Sequence, residues 1–317
     1  MPIRLTTRGP FHLEATVRVL QRRPVNRVDL WTGGRYWRVL GTAERPLLAE
    51  VVNLRTIEAP DVRCTLHGPH STAVGRGAAA TLRRVLGLDL DPVPLRRVTE
   101  GGPALAATAR ALRGLRPPRF SGLFEAFASI VPFQQVSLDA GVAVLGRTVE
   151  RFGEAVEHDG ERFFAFPTAA AIAAAPPAAM LACGLSRQKA RTLQTLAGLI
   201  ETGELDEHEL EGLPSDAALT RLVALRGVGP WTAGLVLLRG LGRLDVFPSG
   251  DVGAANGLRE LLGTTSARRI EATMKRFGSL RGYLYFLSLG GRLLTRGLIG
   301  PASSDATLVS KASPLPH

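Results

Sequence analysis

The sequence predicts an α+β protein: an N-terminal antiparallel β-sheet domain with a helix, followed by an all-α domain in two lobes. Three observations predict it. Short β-branched runs crowd the first hundred residues, Gly and Pro punctuate a long series of helical periods after them, and 317 residues are too many for one ordinary domain. Hydrophobic residues make up 45% of the chain and charged ones 21%, which suits sizeable cores and excludes global disorder.

Residues 28–30 and 36–40 flank Trp31-Thr32-Gly33-Gly34 and read as a hairpin closed by a Gly-Gly turn. Residues 51–57 and 62–66 are further strand candidates. Between His70 and Asp89, Ala79, Leu82, Val85 and Leu86 fall on one helical face, with Arg83 and Arg84 off it. The turn-rich Asp91-Pro92-Val93-Pro94 closes this part, and the sheet domain is drawn as 1–98. Helices are predicted near 105–112, 123–130, 138–152, 169–174, 178–182, 187–202, 216–222, 232–240, 252–262, 267–277 and 281–297. The helical domain is drawn as 99–305, and a polar, Ser-rich tail, 306–317, reads as flexible. The absence of a fixed-period repeat argues against a solenoid.

The formal charge is +11, and lysine occurs only at Lys189, Lys275 and Lys311, so arginine carries nearly all of the positive charge. A GC-rich genome would produce the same arginine bias. The net excess is a separate matter, and it favours a polyanionic partner or a membrane surface. Two cysteines, Cys64 and Cys183, are too few for a disulfide framework, an all-cysteine zinc site or a cysteine-ligated iron–sulfur cluster. The set Cys64, His67 and His70 matches none of the usual zinc spacings. The N-terminus lacks the apolar core of a signal peptide, and the apolar stretch 169–185 is broken by Pro176 and Pro177. A cytoplasmic protein with no membrane partner is expected. No Gly-x-Ser-x-Gly elbow or phosphate loop occurs.

The most informative stretch is Leu225-Arg226-Gly227-Val228-Gly229-Pro230-Trp231-Thr232-Ala233, followed by Asp245-Val246-Phe247-Pro248-Ser249-Gly250-Asp251. A helix over 217–224 meets a tight Gly-x-Gly turn, and a second helix opens near Pro230, where proline suits the first turn. The glycines permit left-handed backbone and close approach by another molecule. Amides at the new helix start would form an anion site. Taken alone, the same pattern also fits a plain αα-hairpin that binds nothing. Asp251 fits the N-cap of a helix starting at Val252.

Taken together, these segments resemble the helix-hairpin-helix superfamily of DNA base-excision glycosylases, and within it the bacterial alkylation-repair branch, 3-methyladenine DNA glycosylase II. The resemblance rests on Trp231-Thr232-Ala233, Asp245-Val246-Phe247 and Asp251, on Phe133-Gln134-Gln135-Val136-Ser137, and on Gly184-Leu185-Ser186-Arg187-Gln188-Lys189-Ala190. It implies a monofunctional N-glycosylase that flips alkylated purines out of duplex DNA and hydrolyses the bond to deoxyribose, working as a monomer without an organic cofactor.

By that resemblance Asp251 is the catalytic carboxylate, with Asp245 as the competing acid. Trp231, Leu235, Val252 and Leu289 would form the base pocket, and the last three stand where this branch often has aromatics. Gln134, Gln135, Arg187, Lys189, Gly227, Gly229 and Thr232 would contact DNA, with Gln135 filling the gap left by the flipped base. Backbone carbonyls of Val223, Leu225 and Val228 would hold a sodium or potassium ion bridging to phosphate. The strand-cutting relatives use a lysine where this chain has Trp231. Two other readings remain open: a glycosylase for oxidised or deaminated bases, and a non-catalytic DNA-binding protein.

Overall fold

The computed structural model describes residues 2–41, 45–94, 98 and 102–300, so the expected tail, 306–317, lies outside the described residues. Five strands, β1 (Ile3–Leu5), β2 (Leu30–Thr32), β3 (Arg35–Leu40), β4 (Leu47–Asn53) and β5 (Val62–His67), form one antiparallel sheet in the order β1-β5-β4-β3-β2. Gly33 and Gly34 join β2 to β3 with φ of +58° and +73°, the left-handed pair that a two-residue hairpin turn requires. Tyr36 lies opposite Val51, and Val51 opposite Cys64, so all three share one face. That face is buried beneath α1 (Leu13–Gln21) and α2 (Thr72–Val85).

The helix α1 occupies a stretch with no expected helix. Its Thr16, Val17 and Val19 are β-branched and its cap is unusual: the Nδ1 of His12 accepts the Ala15 amide at 3.3 Å. Burial of Leu13, Val17 and Leu20 against the sheet overrides the local preference.

The helices that follow are α3 (Pro103–Ala111), α4 (Leu123–Ala128), α5 (Leu138–Phe152), α6 (Ala169–Ala173), α7 (Pro177–Ala182), α8 (Arg187–Glu201), α9 (Glu207–Gly212), α10 (Ser215–Val223), α11 (Pro230–Leu235), α12 (Val252–Leu262), α13 (Ala267–Phe277) and α14 (Tyr283–Thr295). A π-helical turn, Val236–Gly240, continues α11. They surround two cores. One gathers Phe127, Leu222, Leu237, Leu258 and Phe286, and the other gathers Ile172, Met180 and Leu193. Two lobes result, as expected. No helix among the described residues is long and apolar enough to cross a membrane.

One insertion went unforeseen. β6 (Ala155–His158) and β7 (Glu161–Phe164) form a hairpin within the helical part, turning at Asp159 and Gly160 with φ of +49° and +81°. Its Phe163 packs with Val39 and Leu48 of the sheet. A second tie joins the same two regions. Arg38 of β3, fully buried, donates to Asp29 at 2.8 Å and to Glu125 of α4, while Tyr36 donates its hydroxyl to Asp29 at 2.7 Å. Burial alone would push the Arg38 pKa down, yet Glu125 and Asp29 hold it well above its ordinary value.

Candidate active site

Helix α10 ends at Val223 and the chain reverses through Gly227 before α11 opens at Pro230. Gly227 has φ +85°, and a Cβ there would come within 2.2 Å of Thr192 Oγ1, so only glycine fits the bend. Gly229 does not use the left-handed freedom expected of it: its φ is −91° and a Cβ would meet nothing within 4 Å. It is the N-cap of α11, and no side chain caps the amides that follow. Those amides are left for an outside acceptor.

Asp251 is the N-cap of α12. Its Oδ1 accepts the Ala254 amide at 2.7 Å, and its Oδ2 accepts the indole N–H of Trp231 at 3.0 Å. Both oxygens are therefore oriented. Gly234 lets the loop before Asp251 close onto α11, since a Cβ there would stand 3.3 Å from Pro248 Cα. Trp231 itself is half-buried against the larger core.

Opposite this wall, a 3-10 turn over Val131–Phe133 leads into Gln134 and Gln135. Gln135 is exposed and has φ +56°, a conformation non-glycine residues adopt at a cost of about 1–3 kcal/mol. The Gln134 amide nitrogen donates to the Gly227 carbonyl at 3.1 Å and to Thr232 Oγ1 at 3.0 Å. Lys189, at the start of α8, donates to the Pro132 carbonyl at 3.0 Å, and partial burial lowers its pKa.

These parts enclose a cleft of about 780 Å³. It brings together the predicted Gln134, Gln135, Lys189, Gly227, Val228, Gly229, Trp231, Thr232, Asp251 and Val252. Ser186, Gln188, Gly250 and Gly253 also line it and were not singled out as site residues. The first two could have been found, because Ser186 caps α8 through the Lys189 amide and so turns that helix start toward Lys189's wall.

Other predicted residues stand elsewhere. Leu235 is 4% exposed inside the core and Leu289 packs against the same core, so neither lines the cleft. Val252 stands at the mouth, 72% exposed. Arg187 is exposed between two lining residues without lining the cleft itself. Val223 and Leu225 lie on the hairpin outside the cleft wall, and the Leu225 carbonyl accepts the Val228 amide at 3.0 Å. Asp245 does not line the cleft; its backbone carbonyl accepts a hydrogen bond from Arg281. Lys189, distant in sequence from Trp231, shares the cleft with it, its ammonium engaged with Pro132.

A fixed carboxylate beside an aromatic ring can stabilise a cation forming in front of it and can orient a water molecule. The two-lobed helical fold, its Gly-x-Gly hairpin and this aspartate define a member of the HhH-GPD superfamily of base excision DNA repair proteins, which the sequence matches over residues 128–280. The chain belongs to the branch of that superfamily that carries an AlkA N-terminal domain, matched over residues 2–121.

The chain is 32% identical over 174 residues to the DNA-3-methyladenine glycosylase of Bacillus subtilis, covering 55% of this chain and 57% of that protein. It thus spans a little over half the length of that relative. It is 28% identical over 249 residues to DNA-3-methyladenine glycosylase 2 of Escherichia coli, covering 77% of this chain and 82% of that one. The solved 3-methyladenine DNA-glycosylase from Archaeoglobus fulgidus superposes with a TM-score of 0.75 at 26% identity, covering 92% of this chain and 99% of that structure.

Proposed function

We propose that the protein is a monofunctional DNA N-glycosylase that flips alkylated purines of the 3-methyladenine and 7-methylguanine type from duplex DNA and releases them by hydrolysis. A purine alkylated on a ring nitrogen is a cation, so it leaves readily and needs no strong general acid. As its bond to C1′ stretches, positive charge grows on the deoxyribose, and the Asp251 carboxylate stabilises it. The same carboxylate orients the water that attacks C1′, giving a free base and an abasic site. Trp231 offers a π face to the cationic base, an attraction of about 0.5–2 kcal/mol.

The duplex lies across the hairpin, with phosphate at the amides near Gly227 and Gly229 and with Arg187 adding charge. Gln135 fills the vacated stack and meets the orphaned base. Three neutral carbonyl oxygens, those of Val223, Leu225 and Val228, are a donor set suited to a hard monovalent cation such as sodium or potassium. Such an ion would add positive charge beside the phosphate. Leu235 and Leu289 support the pocket from behind, and the protein works as a monomer.

The observation that carries the reading is the 3.0 Å contact between Trp231 and Asp251 inside the cleft that also holds the hairpin. The test is base release from matched duplexes containing N-methylated purines, hypoxanthine or 8-oxoguanine. Release from the methylated duplex, above the other two, is expected. Release only from hypoxanthine or 8-oxoguanine would favour the oxidised-or-deaminated-base reading, and binding without release from any of them would favour a non-catalytic protein.

A further inference from the structure

The turn that carries Gln135 is held from two sides. Lys189 grips it at the Pro132 carbonyl, and Gln134 reaches 93 positions along the chain to the hairpin. A primary amide has two N–H groups, and both of Gln134's are spent: one on the Gly227 carbonyl at 3.1 Å, the other on Thr232 Oγ1 at 3.0 Å. None is left for a base or a phosphate. Thr232 is 2% exposed, so this link runs through the wall of the cleft rather than across its open surface. The next residue, Gln135, has the left-handed φ of +56°. A strained conformation of that kind persists only where its neighbours over-determine it, and Gln134 is the neighbour that is anchored.

We infer that Gln134 is a positioning residue that couples the hairpin's grip on the DNA backbone to the placement of Gln135 in the gap beside a flipped nucleotide. This rests on the glycosylase reading and adds a part to it. A strand seated at Gly227 and Gly229 thereby fixes where Gln135 enters the stack. Without the link the hairpin still holds phosphate, because its amides do not depend on Gln134, but the tip residue loses its register. General affinity for duplex and specific affinity for a gapped stack then separate.

The experiment compares full-length wild type with Gln134→Ala, Gln134→Glu and Thr232→Val, using two fluorescent duplexes at one fixed salt concentration. One duplex is undamaged, and the other carries a tetrahydrofuran abasic analogue. Wild type is expected to prefer the second. Gln134→Ala should lose about tenfold of that preference, its affinity for the abasic-analogue duplex falling much further than its affinity for undamaged duplex. Gln134→Glu keeps the shape but turns acceptors toward the Gly227 carbonyl, so its loss should be at least as large. Thr232→Val removes one acceptor, is close to isosteric, and should fall between.

A purely structural role for Gln134 would weaken both duplexes together and lower the melting temperature. That result, or a wild-type preference retained in both Gln134 variants, overturns the inference while leaving the glycosylase reading intact. A wild type that shows no preference at all also overturns the inference, and base release from the methylated duplex then decides the glycosylase reading separately.

Discussion

Asp251 and Trp231 lie twenty positions apart, and the indole N–H of Trp231 meets Oδ2 of Asp251 at 3.0 Å. Because Oδ1 is already held by the Ala254 amide at 2.7 Å, the carboxylate cannot swing without breaking one of two bonds. Capping needs one oxygen and the proposed chemistry needs the negative charge, and a substitution can separate the two.

Asp251→Asn is that substitution. Asparagine caps helices about as well as aspartate, but its NH2 then faces the indole N–H of Trp231, so folding stability should fall by no more than about 1–3 kcal/mol. Loss of the charge should slow single-turnover base release by at least about 100-fold. Affinity for an abasic-analogue duplex should persist. Release at the wild-type rate would remove Asp251 from the mechanism.

Trp231→Phe keeps an aromatic face and removes the indole donor, whereas Trp231→Leu removes both. Release of a cationic methylated purine should fall in Trp231→Phe through the rate of the chemical step, with binding of abasic duplex unchanged. Trp231→Leu should lose a further factor of about 2 to 30, the worth of a cation–π contact. Equal rates for the two variants would show that the ring face contributes nothing.

The two hairpin glycines should respond differently. Gly227→Ala forces a left-handed alanine and a 2.2 Å clash with Thr192, so it should cost more than about 2 kcal/mol in denaturant unfolding. Gly229→Ala meets open space at an ordinary φ and should fold within about 0.5 kcal/mol of wild type. If Gly229→Ala nevertheless weakens duplex binding, close approach of DNA at this residue is what the methyl group obstructs. Unaltered binding would remove Gly229 from the phosphate contact.

His12 makes the fold sensitive to acid. Burial lowers its pKa from 6.5 to about 4, so the folded state keeps the ring neutral where the unfolded chain takes up a proton. Stability from this group is complete above the unfolded value and declines as pH falls from there toward the folded value. Between about pH 7 and about pH 5 the loss should be about 2 kcal/mol. His12→Asn, which can still cap α1, should flatten that slope in urea titrations at the two pH values. An unchanged slope would assign the acid sensitivity elsewhere.

The hairpin and the capping place of Asp251 were legible because local sequence encodes them, whereas the Gln134-Gln135 turn was legible only through the family resemblance. Gly-x-Gly-Pro specifies a bend and a helix start, and an aspartate before a helical period specifies a cap. Helices α5, α12 and α13 were bounded as found, since each has a Ser or Asp cap and a clean period. Long-range choices were not legible. Leu235 and Leu289 were assigned to the pocket by position, but position does not say which side of a helix faces the core, and both are packed against it. The β6–β7 hairpin carried an Asp-Gly turn in plain view. Its strands are secured by Val39 and Leu48, more than a hundred residues upstream, which no local pattern reveals. The link from Gln134 to Gly227 is of the same kind.

The guanidinium of Arg38, shut between Asp29 and Glu125, has a consequence for how the molecule comes apart. In the intact protein, removing the guanidinium alone, as in Arg38→Met, would leave Asp29 and Glu125 buried without their cation, and breaking a buried pair in this way costs about 3–5 kcal/mol. Because these three side chains join β3 to α4, sheet and lobes should melt as one calorimetric event.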